Sequence, residues 1–304
     1  MAISASDVKD LREKTGAGMM DCKKALAECN GDMEAAVDWL RKKGLSAAAK
    51  KSDRVAAEGT VAVNNQGTEG VLLEVNAETD FVARNEQFQS YVKQVIQNVY
   101  TTGADIEALK SSKVGSDTVA EALTNLIATI GENMTIRRAA HLKVSEGVVS
   151  SYVHNAMGDN MGRIGVLVAL KTSGDKAKAE EVGRKIAMHI AASAPLALRE
   201  EEISADVVEK ERAFAMEKAR ESGRPENVLE KMVDGHVRKF LAESVLLNQP
   251  FVMEPKKTVA EYIADAAKEI GAATEVEAFT CFRLGEGLEK KEDNFAAEVA
   301  AMSK

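Results

Sequence analysis

Glu58-Gly59-Thr60-Val61-Ala62-Val63, a turn, and then Gly70-Val71-Leu72-Leu73-Glu74-Val75 form a pattern that the chain uses twice. The second copy reads Glu146-Gly147-Val148-Val149-Ser150-Ser151-Tyr152-Val153, a turn, and Gly165-Val166-Leu167-Val168-Ala169-Leu170, its Glu-Gly pair 88 residues beyond the first. Short apolar and β-branched runs bounded by glycine and turn residues read as β-hairpins. A helical spacing follows each: Phe88, Val92, Val95, Ile96 and Val99 after the first, Val182, Ile186, His189 and Ile190 after the second. The expected fold is α+β, with two related subdomains from one duplicated hairpin-and-helix unit, at 55–144 and 145–285.

Residues 1–54 stand apart, carrying 11 Lys+Arg and 9 Asp+Glu for a net +2, against −10 for the rest. Their pattern is three short helices. Ser6 and Asp7 can cap a first through Val8 and Leu11 to Lys14, and Gly16 and Gly18 end it. Asp21 opens a second with Cys22, Ala25, Leu26 and Cys29, and Asp32 caps a third with Ala36, Val37 and Leu40. So small a core is expected to lean on something else. Arg41-Lys42-Lys43, Lys50-Lys51 and Arg54 flank an alanine-rich connector, expected as a solvated linker helix, with a contact to nucleic acid or an acidic partner as the alternative.

After Pro195 the second unit is interrupted. Ile203, Val207, Phe214 and Lys218 give a narrow stripe, Ser222-Gly223-Arg224-Pro225 breaks it, and Val228-Leu229, Met232-Val233, His236-Val237 and Phe240-Leu241 give another. An antiparallel coiled-coil hairpin over about 196–245 is expected. Beyond it come a helix with Val259, Tyr262, Ile263, Ala266 and Ile270 and a strand with Val276, Ala278, Thr280, Phe282 and Leu284 alternating. A last amphipathic helix is expected at Glu292 to Met302, within 286–304.

The chemistry-bearing patterns are missing. There is no phosphate loop, no GxGxxG after a strand, no HExxH and no GxSxG elbow. The four histidines are scattered, and Gly158-Asp159-Asn160-Met161-Gly162 reads as a hairpin turn. Cys22, Cys29 and Cys281 form no CxxC pair, which argues against a disulfide framework. A net charge of −8 and 4% aromatic residues disfavour a nucleic-acid coat. The start lacks a basic segment followed by an apolar one, so a cytoplasmic protein that works by its surfaces, without cofactor or resident metal, is expected.

Three stretches are candidate surfaces. Thr15-Gly16-Ala17-Gly18-Met19-Met20 sets two adaptable methionines beside glycines, either for a partner or as a plug in the bundle. In Asn76-Ala77-Glu78-Thr79-Asp80-Phe81-Val82-Ala83-Arg84-Asn85, Thr79 or Asp80 can cap a helix and Phe81 can pack or dock. In Asn248-Gln249-Pro250-Phe251-Val252-Met253-Glu254-Pro255, two prolines hold apolar residues extended, as a core plug or a docking edge.

Through these same residues the chain resembles the bacterial elongation factor Ts family, essentially end to end. Leu11-Arg12-Glu13-Lys14-Thr15-Gly16-Ala17-Gly18-Met19-Met20-Asp21-Cys22-Lys23-Lys24-Ala25-Leu26 is similar to its opening signature, and Glu74 to Asn85 to its second. Arg163-Ile164-Gly165-Val166-Leu167-Val168 and Gln249 to Pro255 also match. The resemblance implies a ubiquitin-associated-like N-terminal domain, a two-subdomain core, a coiled-coil hairpin and a C-terminal module. It further implies a non-enzymatic guanine-nucleotide exchange factor that acts on the Mg²⁺ and GDP held by elongation factor Tu. Thr79, Asp80, Phe81 and Val82 would then meet the partner near its magnesium site, with Lys23, Val252, Met253 and His154 as further contacts and Met19 and Met20 beside them. Asn155 to Met161 departs from some relatives and is expected as a lengthened hairpin loop. No membrane or direct nucleic-acid contact is implied, and a homodimer through the coiled coil stays open. Two other readings are an adaptor that binds ubiquitin-like domains through Met19-Met20, and an enzyme pairing Asp80 with His154 as acid and base.

Overall fold

The computed structural model describes residues 3–221 and 225–288, apart from the side chains of residues 226 and 227. The C-terminal helix expected at 292–302 and residues 222–224 of the break expected at 222–225 lie outside the described residues. The chain begins with α1 (Ala5–Thr15), α2 (Met19–Glu28) and α3 (Met33–Ala49), closed on Leu11, Cys22, Ala25, Leu26 and Ala36. The helix starts differ from those expected. Ser4 caps α1, its hydroxyl accepting the Asp7 N–H while the Asp7 carboxylate accepts the Ser4 N–H, and α2 begins at Met19, two residues before Asp21.

Next come the hairpin β1 (Glu58–Gln66) and β2 (Glu69–Ala77), the short α4 (Asp80–Ala83), α5 (Glu86–Thr102) and α6 (Ile106–Ser111). The two-residue strands β3 (Lys113–Val114) and β4 (Asp117–Thr118) lead into α7 (Val119–Ile130) and β5 (Met134–Lys143). The second hairpin is β6 (Gly147–Gly158) and β7 (Met161–Thr172), followed by α8 (Lys176–Ser193). The antiparallel arm is α9 (Ala205–Arg220) and α10 (Glu226–Ser244). After it come β8 (Pro250–Phe251), β9 (Glu254–Thr258), α11 (Val259–Ile270) and β10 (Thr274–Arg283).

The six long strands join one antiparallel sheet, but β1 meets β7 only at Val61/Gly162 and Ala62/Met161. On either side of that narrow junction the halves face each other. A Cβ on Gly165 of β7 would lie 2.7–2.9 Å from side-chain atoms of Val61, Val63 and Leu72, on two different strands of the other half. A Cβ on Gly70 of β2 would in turn lie within 2.9 Å of Val149 and Leu167. Successive residues of each buried strand therefore enter different cores. Val71, Leu73 and Val75 face α5 and α7, while Leu72 meets Val61, Val149 and Leu167 between the halves. Val166, Val168 and Leu170 face α8 and α11 on the far side. Burial on both faces explains why the repeated runs read as unbroken apolar stretches.

Three expectations need correction. The connector is no free linker: α3 continues through it and lies on α7, with Gly44 beside Ala128 and Arg41 paired to Glu121. The chain after it is tied down by Asn133, whose Nδ2 donates to the Arg54 carbonyl at 2.7 Å. On α9 the seam is Val208, Ala215 and Ala219 against Leu229, Val233 and Val237, while Val207 and Phe214 are exposed. Alanines let the two helices approach closely, so the bulkiest residues mark the wrong face. In β10 a register shift between Val276 and Ala278 breaks the alternation. Val276, Phe279 and Cys281 face the far core, and Phe282 and Leu284 face the middle one.

The close approach of the halves makes a test. Gly165→Ala should cost about 1–3 kcal/mol by overpacking. Gly235→Ala, in open space on α10, should instead stabilise by about 0.5–1 kcal/mol. Urea unfolding midpoints moving in opposite directions are expected; a Gly165→Ala midpoint equal to wild type would show that the halves do not meet closely there.

Candidate functional site: exposed apolar tips on anchored turns

At the end of β2 two carboxylates form a reciprocal clamp. Glu132 accepts from the Thr79 N–H (3.0 Å) and from the Thr79 hydroxyl (2.8 Å), and Glu78 accepts the N–H of Asn133. Arg54 lies 3.4 Å from Glu78. Thr79 therefore precedes α4 without capping it through its side chain. One turn of helix then divides its residues. Val82 (3% exposed) and Ala83 point into the core beside Phe88, while Asp80 and Phe81 point to solvent, Phe81 at 80% exposure. Val82, expected as a contact, is instead the anchor beneath the turn: its burial removes it from any surface. Among the described residues the Asp80 carboxylate makes no hydrogen bond or ion pair. Glu132 and Asn133 escaped the sequence reading, because the clamp joins segments more than 50 residues apart.

A second tip is the turn between β8 and β9. Phe251 is buried, stacked on Tyr262 at 4.1 Å between ring centroids, while Val252 (48%) and Met253 (42%) are exposed. The stretch that composition left between plug and edge is both, one residue after the other. Beneath it lies the fully buried His189, whose Nδ1 accepts the Val252 N–H at 3.2 Å. Nδ1 can accept only in the neutral ring, so Nε2 carries the proton and donates to Gln249 Oε1 at 2.8 Å. Burial holds this imidazole below its ordinary value, against the opposing pull of Gln249. The Gln249 amide also donates to the carbonyl of Glu243 (2.6 Å), tying the turn to the base of α10.

On the N-terminal bundle Met19 and Met20 are exposed, so they do not plug its core; Lys23, one turn further, is exposed and makes no ion pair among the described residues. His154 is exposed on β6, its Nδ1 3.1 Å from the Tyr152 hydroxyl. Residues 155–161, expected as a loop, are largely strand. β6 runs to Gly158 with an irregularity between Ala156 and Gly158, and the hairpin closes at Asp159-Asn160. Among the described residues no hydrogen bond joins Asp80 to His154. Among the described residues no group of three or more His, Cys, Asp or Glu could hold a metal ion, and no helix is long and apolar enough to cross a membrane.

These features define a mixed α+β protein that presents exposed apolar residues on braced turns. Residues 78–286 match the family model described as elongation factor TS. The chain is 55% identical over 306 residues to elongation factor Ts of Caulobacter vibrioides, covering 99% of this chain and 98% of that one. It is 56% identical to elongation factor Ts of Rhodospirillum centenum, with 99% of each chain covered. The chain belongs to the elongation factor Ts family.

His189 supplies a test by pH. Its folded value lies below that of the unfolded chain, near 6.5, so its contribution to stability is complete above about pH 6.5 and is lost as pH falls through the lower folded value. Wild-type unfolding midpoints should therefore fall between pH 7 and pH 5 more steeply than those of His189→Gln. Parallel profiles would show that the ring does not titrate in this way.

Proposed function

We propose that this chain is a guanine-nucleotide exchange factor in translation: it binds elongation factor Tu carrying GDP, disturbs the Mg²⁺ and nucleotide site, and promotes GDP release so that GTP can rebind. The observation that supports this best is Phe81, a large aromatic side chain held almost wholly in solvent on a turn anchored by Val82 and clamped through Thr79 and Glu132. An exposed aromatic on a braced turn has little conformational freedom left to lose on binding. Full burial of such a ring contributes about 2–3 kcal/mol.

The mechanism is linkage, without a covalent step. A protein that prefers the GTPase without Mg²⁺·GDP must weaken Mg²⁺·GDP binding by the same factor, and each ~1.4 kcal/mol of preference is tenfold. Phe81 would enter the nucleotide domain as a wedge, and the exposed Asp80 carboxylate would compete for hydrogen bonds and charge beside the metal. Lys23, Met19 and Met20 on the bundle, Val252 and Met253 on the second tip, and His154 on the hairpin would spread the remaining contact over a long face. A one-to-one complex suffices, acting in the cytoplasm on nucleotide and metal that belong to the partner.

Release of a fluorescent GDP from elongation factor Tu tests this directly. Wild-type protein should accelerate release strongly. Phe81→Ala should lower kcat/KM by about 30- to 150-fold, the equivalent of about 2–3 kcal/mol. Asp80→Ala should lower the saturating rate, and Met253→Ala should chiefly raise KM. Acceleration untouched by Phe81→Ala and Asp80→Ala would discard the wedge, and no acceleration by folded wild type would discard the function.

A further inference from the structure

The second hairpin is longer than the first. The Glu-Gly starts are 88 residues apart but the returning strands, at Gly70 and Gly165, are 95 apart, so the later copy carries seven extra residues. Those residues carry the hairpin tip to α5. Gln89 waits there: its Nε2 donates to the carbonyl of Ala83, the last residue of α4, at 2.9 Å and to the carbonyl of Met157 at 3.0 Å. One amide NH₂ has two protons, and here each finds a different segment of the chain. Gly158 leaves room for this amide, since a Cβ there would lie 2.9–3.0 Å from its nitrogen, carbon and oxygen. One turn along α5, Lys93 lies 3.4 Å from Asp159 at the same tip.

The Ala83 carbonyl ends a helix of a single turn, where carbonyls lack intrahelical partners. So short a helix is held by what it touches rather than by its own hydrogen bonds. Glu132 secures its entry through Thr79, Val82 secures its underside, and Gln89 secures its exit. Through Met157 the same amide holds the hairpin that carries His154. We propose that Gln89 is a positioning residue that joins the Asp80-Phe81 turn and the His154 arm into one preorganised recognition unit, and that the seven-residue extension is what brings the arm within its reach. This rests on the exchange-factor reading for its functional consequence.

Two substitutions break the staple from opposite sides. Gln89→Met keeps the length and bulk of the side chain but removes both donors. Gly158→Ala keeps Gln89 and displaces its flexible amide. Hydrogen exchange of the free protein should be at least tenfold faster than wild type in both variants, at residues 81–85 and again at 155–160, with β2 and α8 unchanged. In GDP release from elongation factor Tu each variant should lower kcat/KM by about 5- to 20-fold, mostly through KM. The double variant should be no worse than the poorer single one, because both act on one staple. Wild-type hydrogen exchange at both segments overturns the staple. Additive losses in the double variant overturn the shared mechanism. Accelerated hydrogen exchange with unchanged GDP release overturns the functional role while leaving the exchange-factor reading intact. Wild-type protein that fails to accelerate GDP release from elongation factor Tu overturns that reading and this role with it.

Discussion

The fold depends on two reciprocal contacts between glycine and leucine. Gly165 leaves space for Leu72, and Gly70 leaves space for Leu167, each glycine lying on the returning strand of one hairpin and each leucine lying two residues beyond the glycine of the other. The two hairpins thus pack on each other by the same device used twice. A side chain at either position would force the halves apart and open the middle core around Val61, Val63 and Val149. With the middle core closed, each half has only one apolar face left to cover. The helices that follow the hairpins cover those faces, which is why the chain repeats the helix along with the strands.

A second constraint closes the open end of the first half. Glu74 is fully buried, yet its carboxylate accepts from Arg138 Nε (2.6 Å), Arg137 Nη1 (2.9 Å), Asn76 and the Gly285 N–H (2.9 Å). Burial alone would raise its pKa, but the Gly285 amide and the two guanidiniums outweigh it and hold the group below the ordinary carboxylate value. A buried charge is tolerable only with its hydrogen bonds complete, and removing one partner leaves an uncompensated ion. The cost of an incomplete set makes the network specific: β2, β5 and the segment after β10 can meet in one way. Gly285 adopts φ +70°, and a Cβ there would lie 2.4 Å from the Ala57 carbonyl, so a glycine at this position serves both the turn and the close approach.

What the sequence disclosed follows the range of the interactions involved. The paired hairpins, the helices after them and the three-helix bundle are written in local periodicity, and the cores of α5 and α8 contain the residues their spacing named. Tertiary contacts decided the rest. The seam of α9 runs through alanines because close helix approach outweighed side-chain size. The bulge in β10 shifts its alternation by one residue, a change that periodicity alone does not forecast. At the candidate site Asp80, Phe81, Val252 and Met253 stood out by residue type and setting. Their supports did not. Glu132, Gln89 and His189 lie on other elements, and nothing near them in sequence announces what they hold.

Those supports give the exposed tips a common construction. Phe81 follows a clamped threonine and precedes a buried valine; Val252 and Met253 follow a buried, stacked phenylalanine and rest on a buried imidazole. In each case a residue one position away is anchored in a core, so the apolar tip is held out with its backbone already set. A tip on a loose loop would gain the same burial in a complex but lose part of it to ordering the loop. Anchoring also limits what the tip can do in the free protein. Held on a short turn between a clamped threonine and a buried valine, Phe81 keeps its apolar surface in solvent.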